Sequence, residues 1–291
     1  MESRRAGASV VAGACSGVLA TVTLQPLDLL KTRVQLCLPG AAPVSMRGIV
    51  SEAHSVRALW RGLLPGLLKT GPGVGLYFGA IDALRAAARP LARGGELTAV
   101  HNFAIGATAR TAVALGTLPL AVVKSRMESG RFTYPTVRRA LATIFRTEGL
   151  RGLFAGAAPT ALRDAPFSGV YLACYAPAKR LLYAHAAAPA HWLSDLVVTM
   201  TAGLAAGTVA SLVTQPQDVI KTRCQVEPGL YPTVGRAVAG IYAAEGLRGF
   251  FRGLRLRIFR RTLMAAVSWS VYEQLMPLLL AMPAPARRAA Y

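Results

Sequence analysis

Long apolar runs alternate with basic, loop-like stretches along the whole chain. Residues 6–27 and 196–217 each run for 22 positions without Asp, Glu, Lys or Arg, and 97–123 runs for 27 broken only by His101 and Arg110. A hydrocarbon core of about 30 Å needs about 20 residues of helix, so each run predicts a spanning helix. Shorter charge-free runs lie at 70–81, 165–178 and 262–272. Each is short by itself, but they fall in turn after the three long runs and predict the intervening spans. The pattern is six helices with basic connections after every odd one.

Composition removes the alternatives. The chain has 291 residues, 53% hydrophobic and 16% charged, with a mean hydropathy of +0.41. Soluble domains carry about 25% charge, and a chain this apolar cannot remain disordered. The net charge of +20 suits either nucleic acid or a membrane surface. Its placement decides between them. Segments 31–69, 124–163 and 221–261 hold 23 of the 33 basic residues and 5 of the 13 acids. With single crossings these segments share one side of a membrane and both termini share the other, as the positive-inside rule describes. No nucleic-acid partner is expected. Cys15, Cys37, Cys174 and Cys224 show no metal-ligand or paired spacing and read as buried small side chains. Arg4 and Arg5 lead directly into a 22-residue apolar run, longer than a secretory core of about 7–15. A retained span is expected rather than a cleaved leader.

The chain repeats itself. Gln-Pro-Leu-Asp-Leu-Leu-Lys-Thr-Arg at 25–33 returns as Leu-Pro-Leu-Ala-Val-Val-Lys-Ser-Arg at 118–126 and Gln-Pro-Gln-Asp-Val-Ile-Lys-Thr-Arg at 215–223. Leu-Trp-Arg-Gly at 59–62 returns as Leu-Phe-Ala-Gly at 153–156 and Phe-Phe-Arg-Gly at 250–253. Three units follow, at 1–94, 95–188 and 189–291, each a helix, a basic loop with a short helix, and a second helix. Pro26, Pro119 and Pro216 are expected to break or kink the odd helices. Glycines four apart (Gly13 and Gly17; Gly71, Gly75 and Gly79; Gly203 and Gly207) are expected to let helices approach closely. The fold class is an all-α membrane bundle of six helices with pseudo-threefold symmetry.

The motif Pro-x-(Asp/Glu)-x-x-(Lys/Arg)-x-(Lys/Arg), three times at this spacing, resembles the mitochondrial carrier family over the whole chain. The resemblance implies the inner mitochondrial membrane, termini facing the intermembrane space, basic loops facing the matrix, and alternating access about one central site. It also implies a matrix gate. Repeat one matches with Asp28, Lys31 and the bracing Gln35, and repeat three with Asp218, Lys221 and Gln225. Repeat two keeps Lys124 but has Ala121 for the acid and Glu128 for the brace. Carried over, Asp28 meets Lys124, Asp218 meets Lys31, and Lys221 lacks its partner. Partly desolvated ion pairs suit a gate because desolvation limits their net worth. The family's opposite, cytoplasmic gate is degenerate here: Asp82 with Arg85 on helix two, Lys179 on helix four, Glu273 on helix six. Trp60-Arg61-Gly62 and Phe251-Arg252-Gly253 stand where the family holds cardiolipin, and helix N-termini suit a phosphate. A simple interfacial aromatic with a snorkelling Arg fits the same residues.

Intramembrane charges are functional suspects. By the resemblance, Arg163 and Asp164 fall at the second substrate contact point, Arg261 at the third, and Lys69, Thr70, Gly73 and Tyr77 near the first. Arg110 either lines the cavity or pairs with an acid. An Arg–acid pair is the family's amino-acid pattern: guanidinium takes a carboxylate in bidentate fashion, and Asp164 can take an ammonium. A structural Arg163–Asp164 pair is the competing reading. Further strings, among them Gly-Pro-Gly-Val-Gly-Leu-Tyr-Phe-Gly at 71–79 and Arg-Asp-Ala-Pro-Phe-Ser-Gly-Val-Tyr-Leu at 163–172, resemble the family branch that carries glycine. They imply glycine import supplying the first step of haem synthesis. The alternatives are another small neutral amino acid or a non-transporting membrane adaptor. No Ser–His–acid set, carboxylate pair or Cys/His cluster emerges, so neither an enzyme nor a metal or cofactor is expected. The chain is expected to act as a monomer.

Overall fold

The computed structural model describes residues 2–37, 44–53, 55–88, 99–185 and 192–281. The expected unit boundaries at 94/95 and 188/189 lie outside them. The elements are α1 (Glu2–Leu36), α2 (Met46–Ala53), a 3-10 turn (Val56–Trp60), α3 (Leu63–Ala88), α4 (Ala99–Gly116), α5 (Leu118–Ser129), α6 (Val137–Leu153), α7 (Ala157–His185), α8 (Trp192–Val213), α9 (Gln215–Val226), α10 (Val234–Gly249) and α11 (Leu254–Ala281). Among the described residues there is no strand. Each repeat shows a long odd helix or helix pair, a short helix in the basic loop, and a long even helix.

Contacts run α1 to α3, α3 to α4 and α5, α4 to α7, α7 to α8, α8 to α11, and α11 back to α1. The bundle is therefore a closed ring of six. α1, α5 and α9 also touch one another, so the basic ends of the odd helices converge and shut one end.

The prolines act unequally. α1 runs through Pro26 as one helix. The other two odd spans bend by 60° and 59°, at Thr117 and Thr214. There the backbone leaves the helical region (φ −93°, ψ 4° and φ −95°, ψ 8°), with Pro at the start of the following helix, where its missing N–H has no helical partner to lose. Both threonine hydroxyls bond the carbonyl four residues back, at 2.8 and 2.7 Å, a contact that bends helices. Repeat one has Leu24 at this place.

Among the described residues no single helix is long and apolar enough to cross a membrane, whereas the two bent pairs, Ala104–Gly116 with Leu118–Ser129 and Val197–Val213 with Gln215–Val226, are. The even helices carry charge along their length: Lys69, Arg163, Asp164, Arg257, Arg260 and Arg261. The polarity is inverted relative to a soluble protein. Leu64, Leu68, Leu76, Leu162, Val197, Val209 and Phe259 are exposed, while Arg126, Arg223, Gln25, Gln35, Gln215 and Gln225 are fully buried.

The small-residue expectation holds in part. A Cβ on Gly203 would meet the Tyr171 hydroxyl at 3.4 Å, and Gly207 packs on Arg261. A Cβ on Gly75 or Gly79 would meet nothing within 4 Å among the described residues. Gly62, Gly156 and Gly253, which open the even helices, have φ of 84°, 76° and 75°, a region that favours glycine. The cysteines follow the expected burial only in part: all four are free, Cys224 is buried, Cys37 and Cys174 are half-buried, and Cys15 is exposed. An apolar outer surface accepts a small thiol as readily as an interior does.

Candidate central cavity and its closed end

At the closed end Lys124 Nζ lies 2.8 Å from Asp28 Oδ2, and Lys31 Nζ lies 2.5 Å from Asp218 Oδ2. Each pair joins neighbouring repeats. Two even helices reinforce them. Arg260 of α11 also pairs with Asp28, and Arg163 of α7 reaches Asp218 Oδ1 at 3.0 Å while holding Asp164 at 2.8 Å. The acids are nearly inaccessible, Asp218 3% exposed and Asp28 9%. Buried acids persist when paired and hydrogen-bonded, as both are here.

A second ring lies beside the first. The hydroxyl in each Lys-(Thr/Ser)-Arg triplet donates to the next repeat: Thr32 to Glu128 at 2.7 Å, Ser125 to Gln225 at 2.7 Å, Thr222 to Gln35 at 2.8 Å. Gln35 in turn donates to Asp218 at 3.0 Å. Glu128 also accepts from Gln25 at 2.9 Å and stands 3.5 Å from Lys124. The braces thus tie acids, hydroxyls and lysines into one network.

Behind the rings each repeat clamps its own odd helix to its own loop helix. Arg126 grips Glu148 with two bonds of 2.5 and 2.7 Å, Arg223 pairs with Glu245, and Arg33 reaches Glu52 at 3.0 Å.

Two cavities adjoin the rings and share Lys69 and Arg163 on their walls. One, of about 260 Å³, lies within the ionic network. The other, of about 420 Å³, brings together Lys69, Thr70, Gly73, Tyr77, Arg110, Arg163 and Asp164. Arg110 is exposed to this space and makes no ion pair among the described residues. Arg261 stands apart from these seven. Its guanidinium stacks on Phe167 at 4.5 Å and Tyr171 at 5.4 Å and lines a separate cavity of about 580 Å³ between α7, α8 and α11. Aromatic faces supply its counter-attraction in place of an acid. The arginines of α11 turned toward the ring are Arg260 and Arg257 rather than Arg261. Arg257 donates to Thr214 at 2.8 Å and Gln215 at 3.1 Å.

At the opposite end, Asp82 and Arg85 make no ion pair among the described residues, and Lys179 sits over the rings of Tyr183 and Tyr175 at 5.7 and 6.0 Å. The Glu273 side chain lies outside the described residues. At the loop side, Trp60 donates to the Val22 carbonyl at 2.9 Å, and Arg61 and Phe251 are exposed. Arg252 is engaged by Glu245 and the Cys37 carbonyl, which commits it to the protein. Glycines 62 and 253 let the chain turn close to the odd helices: Gln25 and Gln215 donate to the Arg61 and Arg252 carbonyls at 2.9 and 2.7 Å.

Reading the sequence missed the hydroxyl ring, the Arg–Glu clamps and Arg260. Two signals carried the first two: a hydroxyl residue stands between Lys and Arg in all three motifs, and Glu-Gly-Leu-Arg-Gly occurs at both 148–152 and 245–249.

Six helices in a closed ring, apolar outside and charged within, with a polar cavity sealed at one end by inter-repeat ion pairs, have the architecture of a membrane transporter. The comparisons say which kind. The family profile described as "Mitochondrial carrier protein" matches residues 2–89, 95–186 and 194–283. The chain belongs to the mitochondrial carrier family, has the three-repeat carrier fold, and is a transport protein of a mitochondrial membrane. It is 42% identical over 270 residues to the mitochondrial glycine transporter of Ovis aries (91% of this chain, 87% of the relative). It is 41% identical over 273 residues to that of Homo sapiens (91% and 87%), and 42% over 274 residues to mitochondrial glycine transporter B of Danio rerio (91% and 92%).

Proposed function

We propose that this chain carries glycine across the inner mitochondrial membrane into the matrix, where glycine feeds the first condensation of haem synthesis. The observation that carries the reading is the 420 Å³ cavity, whose wall holds Arg163 and Asp164 side by side among Lys69, Thr70, Gly73, Tyr77 and Arg110. A zwitterion presents one carboxylate and one ammonium, and that wall offers a partner to each. The glycine transporters named among its relatives support the cargo.

In this mechanism the cargo enters from the open end and draws Arg163 toward its carboxylate. Arg163 then loosens from Asp218, and the ring held by Asp28, Lys31, Lys124 and Asp218 weakens where the cargo waits. The termini face the intermembrane space, the ring faces the matrix, the units 1–94, 95–188 and 189–291 move against one another, and a single chain suffices. Trp60-Arg61-Gly62 offers an exposed guanidinium to a cardiolipin phosphate, as the Phe251-Arg252-Gly253 turn does through its helix N-terminus. Lys179 and Glu273, with Asp82 and Arg85, form the weaker gate on the far side.

The test is labelled-glycine uptake into liposomes bearing the purified protein, beside Arg163→Ala and Asp164→Ala. Saturable uptake lost in both variants supports cargo and site together. Uptake unchanged by either variant removes the site. Folded protein that takes up neither glycine, alanine nor serine removes the cargo reading and favours a non-transporting adaptor.

A further inference from the structure

In both ionic pairs the lysine of a repeat meets the acid of the preceding repeat. In repeat one the brace four residues later joins it: Lys31 Nζ and Gln35 Nε2 both meet Asp218 Oδ2, at 2.5 and 3.0 Å. Applied to repeat three, this arrangement aims Lys221 and Gln225 at position 121, which is Ala121.

Both donors are left over. Lys221 is 7% exposed and makes no ion pair or hydrogen bond among the described residues. The acids nearest it in charge, Asp164 and Asp218, are engaged by Arg163 and by Lys31, Arg163 and Gln35. Gln225 is 1% exposed. Its Oε1 accepts from Ser125 and its main-chain carbonyl accepts from Arg126 at 3.0 Å, while its buried Nε2 has no partner. Lys69, on the same cavity wall, also makes no ion pair among the described residues. Six basic and three acidic side chains line this 260 Å³ cavity. A buried donor without an acceptor and a buried cation without a counter-charge are both costly, and here they stand together.

We propose that Lys221 and Gln225 bind a small monovalent anion beside Ala121, which completes the ring in place of the third carboxylate. The anion is either the carboxylate of an amino-acid cargo or a free inorganic ion; both present a compact acceptor to the cavity wall that Lys221, Gln225 and Ala121 share. The Lys69 and Arg163 walls common to both cavities give a cargo carboxylate a route to this position. The inference rests on the ring geometry and stands whichever cargo is carried.

The test is the thermal stability of the full chain in detergent at constant ionic strength, with gluconate exchanged for chloride or formate, and separately with glycine or glycinamide added. The expected result is a saturable rise in Tm of about 2–4 °C with a small anion, abolished in Lys221→Met. Ala121→Asp supplies its own carboxylate, so it is expected to melt higher in gluconate and to ignore the anion. Competition between glycine and chloride, with glycinamide inert, assigns the site to the cargo carboxylate. A chloride effect indifferent to glycine assigns it to the inorganic ion. An equal Tm in every anion and in glycine, or an anion response that persists in Ala121→Asp, overturns the proposal. Failed glycine uptake alongside a lost response in Ala121→Asp removes the glycine reading alone.

Discussion

Arg163 on α7 spans two carboxylates, Asp164 beside it and Asp218 on α9, at 2.8 and 3.0 Å. It therefore stands on the cavity wall and in the closing ring at once. In the proposed function a cargo that attracts this guanidinium draws it away from Asp218, so that binding and opening would share one side chain.

Arg163→Lys preserves the charge but not the fork, and a point charge on a flexible stem cannot hold both acids. Uptake is expected to fall about tenfold or more, the cost of losing one charge-assisted hydrogen bond. Initial rates in liposomes check this. A lysine variant that transports at the wild-type rate would show that charge alone suffices.

Asp28 faces both Lys124 and Arg260. Asp28→Asn leaves two cations without their acid and is expected to cost about 3–5 kcal/mol of stability. Removing the cation as well, in Asp28→Asn with Lys124→Met, is expected to recover part of that loss. Melting of the four proteins of the cycle measures the coupling, and simple additivity would mean the pair contributes nothing.

Glu128 accepts from Thr32 on one oxygen and Gln25 on the other. A glutamine has one carbonyl oxygen, so Glu128→Gln strands a buried donor despite matching the braces of the other repeats. A loss of about 1–3 kcal/mol is expected, read as a lower Tm. Thr32→Val combined with it is expected to add little.

Gly156 and Gly149 both have positive φ, 76° and 65°. A Cβ at 156 would meet the Lys221 carbonyl at 3.3 Å and the Gln225 side chain at 3.0 Å, whereas at 149 nothing lies within 4 Å. Gly149→Ala therefore carries only backbone strain, about 1 kcal/mol. Gly156→Ala carries strain and a clash with the closing ring, and is expected to melt at least twice as far below wild type. Equal shifts would show that the close approach is relaxed at no cost.

The architecture was legible because membrane solvent imposes a coarse rule: apolar length, basic loops and a threefold motif suffice for six helices in three repeats. The Asp28–Lys124 and Lys31–Asp218 contacts were legible through the resemblance to the carrier family, whose motifs pair acid and lysine between neighbouring repeats. Rotation about a helix axis is finer information. A displacement of one residue, 100° of turn, separates Arg260 in the ring from Arg261 against Phe167 and Tyr171, and charge-free counting cannot resolve it. The unequal bends had the same character: Leu24, Thr117 and Thr214 precede the three motifs, and only the hydroxyl residues sit at breaks.

The clamps from Arg33 to Glu52, Arg126 to Glu148 and Arg223 to Glu245 lie wholly inside single repeats, whereas the Lys124–Asp28 and Lys31–Asp218 pairs and the hydroxyl–brace bonds cross between them. Each odd helix therefore carries its own loop helix wherever it goes. The molecule is three stiff staves hinged by breakable seams, and the work of opening is confined to those seams. The seam beside Ala121 has no lysine–carboxylate pair and is held instead by Arg163 with Asp218 and Arg131 with Glu227, so its fastening differs from the other two and the cycle loses its threefold evenness.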